Sequence, residues 1–197
     1  MADVHDNSQQ SQAPTPLVVA DDELAQRAAR DSTAFAELYR RYLPRVYRYV
    51  LAQLGDMHQA QDVTSQTFLT AFESIAMFRG AGAFSSWLLT IARHKVIDSR
   101  RRQQAVAPLE EAAHIAAREP SPEQIAVTHL EIERVLRTLQ VIAPERAEAL
   151  ALRVFGGLTS AEVAAVMGKS EAAVKMLVFR AVHDLRDRLA FTIEAEP

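Results

Sequence analysis

Apolar residues recur along most of this chain at intervals of three and four, the spacing that gathers side chains on one face of an α-helix. The first long stripe is Phe35, Leu38, Tyr39, Tyr42, Val46, Tyr47, Val50 and Leu54. It predicts a helix opened by Asp31-Ser32, closed by Gly55, and kinked at Pro44 where a backbone donor is missing. A shorter helix to about Ala29 precedes it, and Asp21-Asp22-Glu23 suit the positive end of its dipole. Asp56 caps a third helix over roughly 57–74, burying Ala60, Val63, Phe68, Ala71, Phe72 and Ile75. Phe78 to Phe84 (FRGAGAF) is a glycine-bearing loop between aromatics. Ser85 or Ser86 then caps a helix from Trp87 to about Arg102, with Leu88, Ile91, Ala92 and Val96 or Ile97 inward.

Over residues 103–121 the stripe disappears and the segment ends in Glu119-Pro120-Ser121-Pro122, the pattern of a flexible linker. The stripe resumes from about Pro122 to Leu139, then from Pro144 through Ala147, Leu150, Leu152, Val154 and Phe155 to Gly156-Gly157. Leu158 to Arg188 scans as two helices joined by a tight turn. Thr159 or Ser160 caps the first, and Val163, Ala164 and Met167 form its apolar face. Gly168 supplies the permissive turn, and Ser170 opens the second helix, with Val174, Leu177 and Val178 inward. Residues 1–20, rich in Ser, Gln, Ala and Pro, have no periodicity and predict a disordered tail. The expected architecture is all-α: two small helical domains, 21–102 and 122–197, the second a four-helix domain ending in a helix-turn-helix.

Composition changes this picture little until charge is placed along the chain. The 197 residues carry a net charge of −3. Residues 21–102 hold 12 basic and 9 acidic side chains, 103–135 hold 2 and 6, and 136–197 hold 8 of each. Two neutral-to-basic blocks thus flank an acidic connector, and local patches rather than the overall balance decide phosphate contacts. There is no cysteine, so no disulfide framework or thiolate metal site. No apolar run approaches the ~20 residues of a membrane span. The N-terminus has no basic region of a secretory signal, and a cytoplasmic location is the expectation.

The polar positions suggest binding rather than catalysis. Lys169, Ser170, Glu171 and Lys175 cluster where a docked helix-turn-helix reaches base edges and phosphates. An ordinary bundle hairpin would explain the apolar face equally well. Gln61, Asp62, Thr64, Ser65, Gln66 and Thr67 make a polar, nearly uncharged face that suits either a partner or plain solvent. Arg93, His94, Lys95 and the run Arg100-Arg101-Arg102 form a basic helix end behind the aromatic loop, a combination suited to single-stranded DNA. Core packing explains Trp87 better than base stacking does. No nucleophile elbow, phosphate-binding loop or His-x-x-x-His pair is present, and the six histidines are scattered. No metal, cofactor or enzymatic activity is expected.

Two stretches together resemble a known family. Gln61 to Leu69 (QDVTSQTFL), followed by Phe78-Arg79-Gly80, Phe84 and Trp87-Leu88, is similar to the second domain of bacterial sigma factors. Phe155-Gly156-Gly157-Leu158-Thr159 through Val174-Lys175 and Arg180-Ala181 is similar to their fourth domain. With no intervening domain, the chain resembles the small extracytoplasmic-function (ECF) sigma factors of the sigma-70 family. The resemblance implies that Gln61, Asp62, Gln66 and Thr67 dock on the β′ clamp helices of core RNA polymerase, which the factor engages together with the β subunit. It implies that Phe78, Arg79, Phe84, Arg93, His94 and Lys95 capture an unstacked base of the −10 element, with Arg100, Arg101 and Arg102 on nearby phosphates. Lys169, Ser170, Glu171, Ala173, Lys175 and Arg180 would meet the −35 element as duplex. The family further implies promoter melting and an anti-sigma factor as a partner.

The chain departs from the family pattern at several of these places. Gln61 and Gln66 stand where acidic residues are usual, Met176-Leu177 where a serine-arginine pair is common, and Phe179 where histidine is frequent. The rival readings are a stand-alone helix-turn-helix regulator, which would need no aromatic-loop domain, and a nucleic-acid-processing enzyme, for which the catalytic constellation is missing.

Overall fold

Most helix starts supply a group for the backbone N–H atoms that a first turn leaves unpaired. The computed structural model describes residues 20–80, 83–106 and 135–193, and every regular element among them is helical. They are α1 (Asp21–Ala28), α2 (Ser32–Leu54), α3 (Met57–Ser74) with a 3-10 turn at Ile75–Met77, α4 (Phe84–Val106), α5 (residues 135–141), α6 (Pro144–Val154), α7 (Ser160–Met167) and α8 (Glu171–Ile193). Asp31 caps α2 through the amides of Thr33 and Ala34, and Asp56 caps α3 through that of Gln59. Pro144 occupies the first turn of α6, where a missing N–H costs nothing. Gly55 and Gly168 end α2 and α7 in left-handed backbone, at φ 71° and 66°.

The expected tail up to residue 19, the linker beyond residue 106 and the helix over 122–134 lie outside the described residues. No helix among the described residues is long and apolar enough to cross a membrane.

Several boundaries differ from the sequence expectation. The α2 helix runs unbroken through Pro44; Pro44 and Arg40 are both exposed, so the carbonyl that loses its donor lies on the solvent side. The α4 helix begins at Phe84, not Trp87, and neither Ser85 nor Ser86 caps it. Its first amide instead donates to the carboxylate of Asp22 at 2.7 Å, a cap delivered from α1. At its other end α4 continues to Val106, taking the first four residues assigned to the linker.

The centre of the structure is α2, which packs against α1, α3, α4 and α6. Because it is covered on several sides, more than one stripe is inward. Tyr49, absent from the expected stripe, is fully buried, while Tyr39 is exposed. Asp21 ties α1 to α2 by pairing with Arg41 at 2.7 Å and accepting from the Tyr42 hydroxyl at 2.6 Å. Burial is the main cause pushing the Tyr42 phenol up from its usual range, and this hydrogen bond adds to it.

One contiguous core spans both helical units. The α6 helix packs on α2 and the α7 helix on α4. Gly156 lies in this seam, and a Cβ there would fall 2.6 Å from the Leu152 carbonyl oxygen and 2.8 Å from Leu89. Only glycine allows that approach. Polar links cross the seam as well. Arg93 pairs with Glu148 at 2.7 Å, and the Gln140 side chain donates to the Ala52 carbonyl at 2.8 Å.

Candidate nucleic-acid and partner interfaces

On α3 the exposed positions are Gln61, Asp62, Ser65, Gln66, Leu69, Phe72 and Glu73, with Met57 and His58 at its start. Gln61, Asp62 and Gln66 therefore lie on one open face, as expected. Thr67 does not. It is fully buried, and its hydroxyl donates to the Val63 carbonyl at 2.7 Å. Thr64, also expected outward, is buried too. A threonine whose hydroxyl bonds back one turn presents mainly its methyl to the core, so the polar stripe is narrower than the sequence suggests.

Two apolar residues on this face were missed. Leu69 is 59% exposed, and Phe72, expected in the core, is 49% exposed with its edge against Phe35. Leu69 follows Asp62 by seven residues and Gln66 by three, so it shares their face. An isolated leucine at that position of a polar stripe was the available signal.

The aromatic loop and basic helix are divided between core and surface. Phe84, expected at DNA, is the hub of a buried aromatic cluster with Tyr42, Phe78 and Trp87, ring centroids 5.1–5.9 Å apart. It shapes the loop from beneath and cannot stack on a base. Phe78 and Trp87 are half-buried around it, and Arg79 is exposed. Along α4, His94, Arg101 and Arg102 face outward and Lys95 is half-exposed. Arg93 and Arg100, seven residues apart and so on one side of the helix, turn into the structure. Arg93 meets Glu148, and Arg100 donates to the backbone carbonyl and side-chain oxygen of Gln53. Ser99, between them in sequence, is buried. The basic surface is thus Arg79, His94, Lys95, Arg101 and Arg102.

Buried beside Arg93, Arg100 and Glu148 is Tyr49. Desolvation, reinforced by the Glu148 charge, pushes its phenol well above the ordinary range.

The α7 and α8 helices form the expected helix-turn-helix. Thr159 and Glu162 make a reciprocal capping box: the Thr159 hydroxyl accepts from the Glu162 amide, and the Glu162 carboxylate accepts from the Thr159 amide at 2.7 Å. The Thr159 hydroxyl also donates to that carboxylate, which is the first cause holding Glu162 below the usual carboxylate range. Ser170 caps α8 by accepting from the Ala173 amide at 3.2 Å. Val163 of α7 and Val174 and Ala181 of α8 are fully buried. Val154 of α6, expected in the core, is instead 62% exposed.

The expected duplex-facing residues are mostly open. Ser170, Glu171, Ala173, Lys175 and Arg180 are exposed, and Lys175 pairs with Glu171 on the surface at 2.7 Å. Lys169 is half-buried and pairs with Glu145 at 2.9 Å. Met176 and Phe179, named only as departures from the family pattern, are 49% and 70% exposed on the same face.

This arrangement matches known proteins. The family models for Sigma-70 region 2 and Sigma-70 region 4 match residues 38–106 and 132–185. The ECF RNA polymerase sigma factor BldN of Streptomyces coelicolor is 38% identical over 167 residues, 83% of this chain and 63% of that longer protein. The ECF RNA polymerase sigma factor SigD of Mycobacterium tuberculosis is 30% identical over 173 residues, 84% of this chain and 82% of SigD. Among solved structures, CnrH in complex with the cytosolic domain of CnrY superposes with a TM-score of 0.69 at 25% identity, covering 87% of this chain and 98% of CnrH. The chain belongs to the sigma-70 family, within its ECF RNA polymerase sigma factors.

Proposed function

We propose that this protein is an alternative sigma factor that binds core RNA polymerase, recognises −10 and −35 promoter elements through separate surfaces, and starts promoter melting. Residues 21–106 act as the polymerase-docking and −10 unit, and residues 122–197 as the −35 unit. The observation that carries this is the pairing of a helix-turn-helix, whose second helix exposes Lys175 and Arg180, with a second helical unit exposing Asp62, Gln66, Arg79, Arg101 and Arg102. A stand-alone regulator has no need of that second unit.

Docking on the β′ clamp helices uses Gln61, Asp62 and Gln66, with Leu69 as the apolar contact among them; Thr67 supports the helix from inside. Base capture uses Phe78 and Arg79, while Arg101 and Arg102 hold phosphates. Extruding a base costs a few kcal/mol, which such stacking and phosphate contacts offset. Every one of these steps is binding, so the factor needs no chemistry of its own; it works in the cytoplasm because its polymerase and promoter partners are there. The partners are core polymerase through its β′ and β subunits, promoter DNA and, as the family resemblance implies, an anti-sigma factor.

The test is run-off transcription with core RNA polymerase and genomic fragments, with core binding measured in the same samples. New specific transcripts are the expected result. Duplex binding without any binding to core would overturn the proposal in favour of a stand-alone regulator.

A further inference from the structure

The outward face of α8 carries two large apolar side chains that nothing among the described residues covers. With about 100° of rotation per residue, Lys175, Phe179, Met176 and Arg180 follow one another across the face opposite buried Val174 and Ala181. Met176 and Phe179 occupy its centre, 49% and 70% exposed, with Lys175, which pairs at the surface with Glu171 at 2.7 Å, on one side and Arg180 on the other. Helix formation and core packing require neither residue, since the inward stripe of Val174, Leu177, Val178 and Ala181 already seats α8.

The two flanking cations identify the occupant. An apolar strip between two positive edges complements a groove with an uncharged floor and two anionic walls, which is the major groove of duplex DNA. On that floor an apolar side chain gains little from guanine, adenine or cytosine edges, whose donors and acceptors it would desolvate without replacing a hydrogen bond. The C5-methyl group of thymine is the apolar feature there.

We infer that Met176 and Phe179 read thymine methyl groups, so that the duplex element bound by α8 carries thymine opposite these two residues. The inference rests on the proposed placement of α8 in the −35 element and adds the base class it selects. It also gives the departures at these positions a consequence: where a serine hydroxyl would hydrogen-bond to base edges or phosphates, Met176 instead selects for a methyl.

The test uses holoenzyme assembled from the full-length chain and core polymerase, bound to a labelled promoter duplex obtained from the run-off experiment. Each thymine of the −35 element is replaced in turn by deoxyuridine, which removes the methyl and leaves every hydrogen-bonding atom in place. Binding should weaken about fourfold for each contacted methyl. Met176→Gln and Phe179→Gln, both at exposed positions that leave the inward stripe intact, should each abolish the sensitivity at one position while retaining it at the other.

Promoter binding that changes less than twofold for every deoxyuridine would overturn the inference while leaving the −35 placement standing. Variants that bind core polymerase more weakly, yet whose holoenzyme assembled at saturating factor keeps full deoxyuridine sensitivity at both positions, would also overturn it, making the strip a protein-docking surface. A holoenzyme indifferent to replacement of the entire −35 element would remove the placement itself, and the inference with it.

Discussion

The two helices proposed to meet nucleic acid, α4 and α8, use their basic residues in opposite ways. On α8, Lys175 and Arg180 stand on an open face and contribute nothing to the core. On α4, Arg93 and Arg100 are turned inward to Glu148 and Gln53, and only His94, Lys95, Arg101 and Arg102 remain toward solvent. The difference follows from position. The α8 helix closes the second unit and is covered on one side, whereas α4 lies between α2, α3 and α7. A helix enclosed on several sides converts part of its charge into internal ties. The surface proposed to read duplex is therefore preformed, while the one proposed for single strand borders residues that are tied into the seam between the units.

The largest expected effect tests that seam. Leu89 is buried and fits against the space left by Gly156, so Leu89→Ala should cost about 2–5 kcal/mol in denaturant unfolding. A loss below 1 kcal/mol would mean that the two units are not packed as one core. Next, Arg93→Ala should lower stability by about 1–3 kcal/mol, because Glu148 is left largely buried without its partner. If Arg93→Ala instead reduced single-stranded DNA binding with stability unchanged, α4 would resemble α8 after all.

Asp62→Lys, on the open face of α3, should weaken core polymerase binding about tenfold, or ~1.4 kcal/mol, and leave duplex binding unchanged. Equal polymerase affinity would dissociate this face from docking.

Thr159→Ala removes half of the capping box and should cost about 1 kcal/mol, measured by thermal unfolding. Its partner supplies a pH signature. Glu162 has a folded pKa below the ordinary 4.5, so its contribution is complete above that value and is lost as pH falls through the depressed one. The stability gap between wild type and Glu162→Gln should be constant above pH 4.5 and close in more acidic solution. A gap that persisted at the lowest pH would show that ionised Glu162 is not its source.

The smallest effect is Lys175→Ala, which should leave stability unaltered and reduce the salt slope of duplex binding by about 1. An unchanged slope would place Lys175 away from phosphate.

Much of this organisation was legible in local patterns. Caps at Asp31, Asp56, Thr159 and Ser170, glycine stops at Gly55 and Gly168, and the apolar spacing of α3, α6 and α8 involve residues within one or two helical turns of each other. Phe72, Val154 and Tyr39 were misplaced because an amphipathic stripe is broad, and only the neighbouring helix decides which of its edge residues are covered. Phe84 and Arg93 were assigned to DNA because an aromatic or an arginine has the same chemistry whether it faces outward or inward.

By itself the sequence determined the all-α class, the order of the helices, the helix-turn-helix and the two motif-bearing blocks, since helix formation and capping are short-range. Only the tertiary structure decided that Asp22 caps α4, that Gly156 lies against Leu89, and that Arg93 is held by Glu148. Those partners are 62, 67 and 55 residues apart in the chain. Such long-range contacts exist only once α4 meets α1 before it in the chain and the helices of the second unit after it, and no local periodicity encodes which faces will meet.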